Sequence, residues 1–316
     1  MNSRDYWLAR EKAYAIRQGQ VDDVFIEKET DRIYTKLLED INKDIADAYA
    51  KYAGKEGLTF EEMKQKVDSF DVEKFKKRAA KIVKNKDFSP EANQQMRLYN
   101  LKMKVSRLEL LKAQIGADMI EADEELKTVL GERLNKDTQD ELHRQSGIFD
   151  EHIDTSKRTV DAVVNASFHG TTFSQKIWIG GVVASSELEA NITRGMAEGI
   201  NPAQLTKWLE KYIHPAIKNK RKVAERLMRT EMSRVKRQAD FEAFNRMGYD
   251  EFIFIATEDS RVCDVCSGLN GKVFEVKKML VGENAPPMHP NCRCTIAAHM
   301  DEQEYAKWLK GKENGQ

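Results

Sequence analysis

Apolar residues in the first part of the chain return at steps of three and four. Ile26, Ile33, Leu37, Ile41, Ile45, Ala48 and Tyr52 share one face when residues 21–52 are wound as a helix, and charged positions fill the other. Gly54 is placed to stop that helix. Thr59 and Glu62 form a capping-box pattern, and Asp71 caps a helix over 72–85 with Phe75, Ala79 and Ile82 inward. Ser89-Pro90 is a start signal, because serine offers a cap oxygen and proline is pre-shaped for the first turn. The helix it opens runs to residue 130, with Leu98, Leu101, Val105, Leu108, Ile115, Met119, Ala122, Leu126 and Val129 in a near-heptad stripe. That stripe suits a coiled coil or helix hairpin, or one face of a compact bundle.

Residues 131–170 read as helical with a less regular pattern. Gly170-Thr171-Thr172 and Gly180-Gly181 interrupt the periodicity, so 171–182 is expected to be an exposed turn region presenting Phe173 and Trp178. Helices follow over 184–198, from Asn201-Pro202 to Ile213 with Pro215 ending it, and over 219–247 with a stop at Gly248.

After Gly248 the period changes from helix to strand. Glu251 to Thr257 is rich in strand formers, Asn270-Gly271 is a hairpin-turn dipeptide ahead of Lys272-Val273-Phe274, and Pro286-Pro287 marks a loop. Cys292 to Ala297 reads as a last strand, and Gln303 to Leu309 as a short helix before a polar tail. The expected fold is mainly α: long amphipathic helices followed by a small zinc-stapled α+β C-terminal module. The expected division is a helical N-terminal region over 1–170, a second helical region over 171–248, a β-rich zinc module over 249–300, and a helix and tail over 301–316.

Composition narrows the class. At 316 residues the chain has room for one large domain or two to three small ones. Hydrophobic residues make up 41% and charged residues 33%, which fits long polar helices around a real core. Lys+Arg and Asp+Glu both total 52, so net charge gives no argument for a nucleic-acid or membrane partner. The most apolar run, Ile177 to Ala184, is far short of the ~18 residues that span a bilayer. The charged start lacks the apolar core of a signal peptide, so a cytosolic, reducing setting is expected, where clustered cysteines favour metal over disulfides.

All four cysteines fall in the C-terminal segment. Cys263-x2-Cys266 is followed after 22 residues by His289-x2-Cys292, with Cys294 just beyond. Two residues between ligands let a tight turn aim both side chains at one ion, and two such turns complete a tetrahedron. Thiolate and imidazole donors select Zn²⁺ over Mg²⁺ or Ca²⁺. Four protein ligands leave no open position, which points to a structural ion. Cys292 has the knuckle spacing, and Cys294 is its substitute. Disulfides and ordinary buried thiols are the alternatives.

Residues 214–238 hold nine Lys or Arg against two acids. Lys218, Lys220, Arg221, Lys222, Arg226 and Arg229 are thus candidates for DNA or partner contacts, against a plain solvated helix face. The basic run Lys74 to Lys86 and the acidic segment Asp118 to Glu125 read as solvated surface. No nucleophile–base arrangement, phosphate loop or deaminase signature occurs, so no catalytic activity is expected.

Several blocks recur in a known order. They are Phe173-Ser-Gln-Lys-Ile-Trp178, Gly199-Ile-Asn-Pro202, Arg229-Thr230-Glu231, Thr257-Glu-Asp-Ser-Arg-Val-Cys263-x2-Cys266, Leu269-Asn-Gly-Lys-Val-Phe274 and Pro287-Met-His289-Pro-Asn-Cys292-Arg-Cys294. In these the run from Phe173 to Ala298 resembles the phage head-morphogenesis, or minor capsid, family typified by phage Mu protein F. The resemblance implies a low-copy virion protein associated with the portal. It would act in head assembly, DNA packaging or delivery, beside capsid or scaffolding proteins and the packaged DNA, after a stay in the host cytoplasm. Arg229 and Glu231 are then structural or partner contacts. The competing functions are a zinc-dependent nuclease and a DNA-binding adaptor.

Overall fold

In a computed structural model of the chain, residues 3–50, 77, 107–149, 152–197, 204–257 and 262–299 are described. The expected elements at 51–76, 78–106, 198–203 and 300–316 lie outside them, including the Thr59–Glu62 and Ser89-Pro90 caps, the Asn201-Pro202 cap and the C-terminal helix. The described chain is mainly helical, with one small sheet near its end.

Helix α1 spans Ser3–Tyr49 and α2 spans Arg107–Phe149. The stripe expected on the first helix is buried: Ile26, Ile33, Leu37, Ile41 and Ile45 are all 2% exposed or less. The helix begins well before residue 21, because the apolar face is replaced there by charged residues that find buried partners. The short helix α3 spans Lys157–Val164 and is capped by Ser156, whose hydroxyl accepts the Thr159 amide at 3.4 Å.

Helix α4 spans Phe173–Ala197, which corrects the expectation of an exposed turn over 171–182. Phe173 and Trp178 are buried within it. Gly180-Gly181 serves close approach rather than a break. A Cβ on Gly181 would lie 2.1 Å from Asp123 Oδ2, so only glycine lets the helix pass that carboxylate.

Pro215 does not end a helix either. Helix α5, Leu205–Trp208, widens into a π turn over Leu209–Ile213 and continues as α6, His214–Arg246. The wide turn lies where the proline ring would otherwise clash with the preceding carbonyls, so the helix absorbs the residue.

The sheet has order β2-β1-β3, with β1 at Glu251–Ile255, β2 at Val273–Glu275 and β3 at Thr295–His299. Both pairings are antiparallel, with Phe252 opposite Phe274 and Ala298. Asn270-Gly271 is not a two-residue hairpin. It turns the chain out of helix α7, Asp264–Leu269, into β2, and Asn270 Oδ1 accepts the Ala256 amide at 2.9 Å. The last strand starts at Thr295 rather than Cys292, because Cys292 and Cys294 are drawn into a side-chain cluster. Strand β1 is buried on both faces. Ile253 and Ile255 pack with Ala297, Val273 and Leu8, while Phe254 and Ala256 pack against the cysteines.

The chain divides into two compact units of interleaved segments. One comprises Met1–Glu27, Leu130–Thr172 and Arg226–Gln316; the other comprises Lys28–Val129 and Phe173–Glu225.

In the first unit, α1, α2 and α6 share a seam of buried charge. Asp22 accepts Arg133 at 2.8 Å and Lys236 at 2.7 Å, and Asp137 faces the same two cations at 2.8 and 3.5 Å. Further along, Gln145 Nε2 donates to Glu141 at 3.0 Å and to Asp240 at 2.7 Å, and Arg144 reaches Glu11 at 2.6 Å. Pairing is what permits these charges inside.

Burial pushes the Asp137 carboxyl up to about 6 against the pull of Lys236 and Arg133, with Asp22 adding to the rise. A folded value above the unfolded one means the contribution to stability is full below pH ~4 and is lost as pH rises through ~6. Between pH 4 and pH 7, the stability difference between wild type and Asp137→Asn should therefore move against the wild type by up to about 3 kcal/mol. Urea unfolding at both pH values reads this, and a pH-independent difference would contradict it.

In the second unit, Lys220 donates to Asp123 at 2.6 Å with both side chains buried. Arg221 holds Asp31 at 2.6 Å and Glu225 at 2.8 Å, and Arg32 reaches Glu125. The acidic segment Asp118 to Glu125 is therefore not a plain solvated face, since Asp118 and Asp123 are buried. No helix among the described residues is long and apolar enough to cross a membrane.

Candidate metal centre

The two cysteine turns are built by local hydrogen bonds. Cys263 stands before α7, and its Sγ accepts the Cys266 amide at 3.4 Å, which folds Cys263 and Cys266 toward one point. The second turn closes through the Cys292 amide on the His289 carbonyl at 3.1 Å. Asn291 in that turn has φ 66°, a left-handed conformation asparagine tolerates better than most residues.

The turns bring five donors together. Cys263, Cys266 and His289 form one group, and Cys266, Cys292 and Cys294 form another, with all donor atoms in each group within 4.8 Å of one another. Cys266 is common to both. Its sulfur lies 3.8 Å from Cys292 Sγ and 3.6 Å from His289 Nε2. Tetrahedral zinc with ordinary bond lengths requires about 3.8 Å between sulfurs and about 3.6 Å between sulfur and nitrogen. The donors thus fit one ion in type and spacing. The four residues expected from sequence, and the substitute Cys294, all fall in the same cluster, and the cysteines are free thiols.

The donors differ in how readily each gives up its proton, as ligation requires. The Cys266 amide holds the Cys263 thiol below its usual range. A hydrogen bond from the Cys294 thiol, opposed by burial and helped by backbone amides, holds Cys292 down at about 5, and Cys294 is pushed up in return. Burial and the neighbouring Cys292 raise Cys266 to about 12. Burial works against a charged His289, but the Pro290 carbonyl and the nearby thiolates outweigh it and raise it. The Nδ1 contact to Pro290 O at 2.9 Å fixes the ring and leaves Nε2 aimed at the cluster.

Sequence reasoning missed what holds the second turn. Arg229 Nη1 donates to Asn291 Oδ1 at 2.7 Å, and Thr230 Oγ1 accepts the Asn291 amide at 3.3 Å. Arg229 also donates to Asp23 at 2.9 Å, and Arg293 reaches the other oxygen of Asp23 at 2.7 Å. Glu231 is fully buried and accepts Arg234 Nε at 2.6 Å. The other guanidinium nitrogens of Arg234 donate to Val163 O and Val164 O, the last carbonyls of α3. Arg237 donates to Thr295 Oγ1 at the start of β3. Arg229-Thr230-Glu231 is thus a clamp facing two neighbours at once. The signal available in sequence was three consecutive polar residues between the apolar Met228 and Met232, which splay in different directions on a helix and so need more than one partner.

The six basic candidates separate. Lys218, Lys222 and Arg226 are exposed, Arg221 and Arg229 are half-buried in ion pairs, and Lys220 is buried against Asp123. A cavity of about 380 Å³ opens beside the cluster, with Arg229, Thr257 and Arg293 in its wall.

No curated protein and no solved structure matches the chain. Residues 186–297, which contain the Arg229-Thr230-Glu231 clamp and both cysteine turns, match the family model described as phage Mu protein F like protein.

Proposed function

We propose that the chain is a low-copy minor protein of a tailed-phage head. In this reading it associates with the portal and with capsid or scaffolding proteins during assembly in the host cytoplasm. It remains in the virion, where it serves DNA packaging or delivery. The observation that carries the reading is the coincidence of the family match with the metal cluster: the segment that matches is the segment whose turns and clamp converge on one point.

The ion we assign is Zn²⁺, held by Cys263, Cys266, His289 and Cys292, with the Cys294 thiol donating to Cys292. Thiolate with imidazole is the donor set that zinc prefers, and four protein ligands make it a structural ion that contributes to folding directly. No residue among the ligands is left to activate water, so the chain is proposed to have no enzymatic activity, against the nuclease alternative.

Purified virions should contain the chain at a few copies per particle by quantitative mass spectrometry, with about one zinc per chain in the isolated protein. Absence from both mature virions and precursor heads would overturn the head assignment.

A further inference from the structure

Helices α4 and α6 run antiparallel in the second unit: Asn191 Nδ2 donates to Tyr212 O at 3.1 Å, and a Cβ on Gly180 would touch Val223 at 3.9 Å. Their shared outer face carries large apolar side chains in solvent. Ile179 is 57% exposed, Val183 65% and Val223 42%. Ile179 and Val183 are one turn apart on α4, and Val223 lies across from them on α6, so the three form one strip rather than scattered residues. Asn219 lies one turn from Val223 and is exposed.

Cations flank this strip. Lys218 and Lys222 stand one turn apart on α6, both exposed, and neither has a carboxylate partner among the described residues. Their neighbours Lys220 and Arg221 are fully paired with Asp123, Asp31 and Glu225. Glu187 is exposed one turn beyond Val183 and is the acid nearest the strip along α4.

We infer that the Ile179–Val183–Val223 strip with Lys218 and Lys222 docks an acidic amphipathic helix of a partner protein. Two helix surfaces side by side leave a shallow groove that fits apolar residues at three- and four-residue steps. Carboxylates on the flank of such a helix would pair with the two exposed lysines. A nucleic-acid backbone fits less well, because it would set phosphates against three exposed aliphatic side chains. The inference goes beyond the head-protein reading and does not depend on the metal.

The test places the photo-crosslinker p-benzoylphenylalanine at Val183 in the full-length chain, made in the cells that produce it naturally. The crosslinked peptide is then sequenced by mass spectrometry, with the exposed position Glu132 as control. The expected product is an acidic amphipathic segment of another protein, and Lys218→Glu with Lys222→Glu should lower its yield about tenfold. Both lysines are exposed, so the fold should survive these changes. A crosslink to DNA, to a second copy of this chain or to a basic segment would overturn the inference. So would a yield no higher than at Glu132, or one unaffected by charge reversal. Because the crosslink is read in the producing cells, absence of the chain from virions would sink the head assignment and leave this result standing.

Discussion

Cys266→Ser should release the metal and loosen residues 262–299 while the helices keep their circular dichroism. Cys266 is the one donor common to both groups of the cluster, so its loss breaks the tetrahedron however the remaining ligands are chosen. The sheet it supports has a three-residue strand on one side and a five-residue strand on the other, too little to stand alone. Structural zinc sites contribute roughly 10–16 kcal/mol, so even partial loss exceeds what such a small sheet can replace. Metal content should fall from about one per chain to the background, and limited proteolysis should cut between β1 and β3. Cys292→Ser should behave in the same way, whereas Cys294→Ser should retain most of its metal, since Cys294 lies outside the proposed ligand set of Cys263, Cys266, His289 and Cys292. A Cys266→Ser chain with its metal and its protease resistance intact would end the stapled-module account.

Lys220→Met should be the most damaging change outside the metal centre. It leaves Asp123 buried without its cation, and burial already pushes that carboxyl upward against the pull of Lys220. Removing one partner of a buried pair costs about 3–5 kcal/mol, while replacing both by apolar groups is often near neutral. The double change Lys220→Met with Asp123→Leu should recover most of the loss, since leucine keeps the branching of aspartate. Gly181→Ala attacks the same point, because its Cβ would occupy space 2.1 Å from Asp123 Oδ2 and push the carboxylate off Lys220. Denaturant midpoints of the three variants read the outcome. A Lys220→Met chain as stable as the wild type would refute the role given to the pair.

The long helices were legible because their apolar residues keep the 3.6 period, as Ile33, Leu37, Ile41 and Ile45 do. The cluster was legible because ligand spacing within a tight turn is a local property: Cys263 and Cys266, like His289 and Cys292, are set by hydrogen bonds that span three residues. What failed was the reading of punctuation. Gly180-Gly181 and Pro215 look like breaks, yet each is tolerated through something distant or unusual: a carboxylate on α2 that needs room, and a π turn that widens the helix. The charged helix 214–238 misled for the same reason. Lys220, Arg234, Lys236 and Arg237 are core residues that each reach at least one partner far along the chain, Asp123, the Val163 and Val164 carbonyls, Asp22 and Thr295 respectively, and no periodicity announces that. The Arg229-Thr230 clamp was likewise invisible because its target, Asn291, lies 61 residues or more away.

The interleaved order of the segments bears on synthesis. The unit that ends at Glu225 has all its pieces once that residue leaves the ribosome, and it can begin to close while translation continues. The other unit must wait for its last piece, which starts at Arg226 and carries every donor of the metal cluster. Until then Asp22 and Asp137 are without Lys236, the α6 cation that both of them face. A nascent chain stalled before Arg226 is thus half finished, which makes it a natural target for chaperones and proteases. Under the proposed zinc assignment, capture of the ion would then be the closing event of biogenesis.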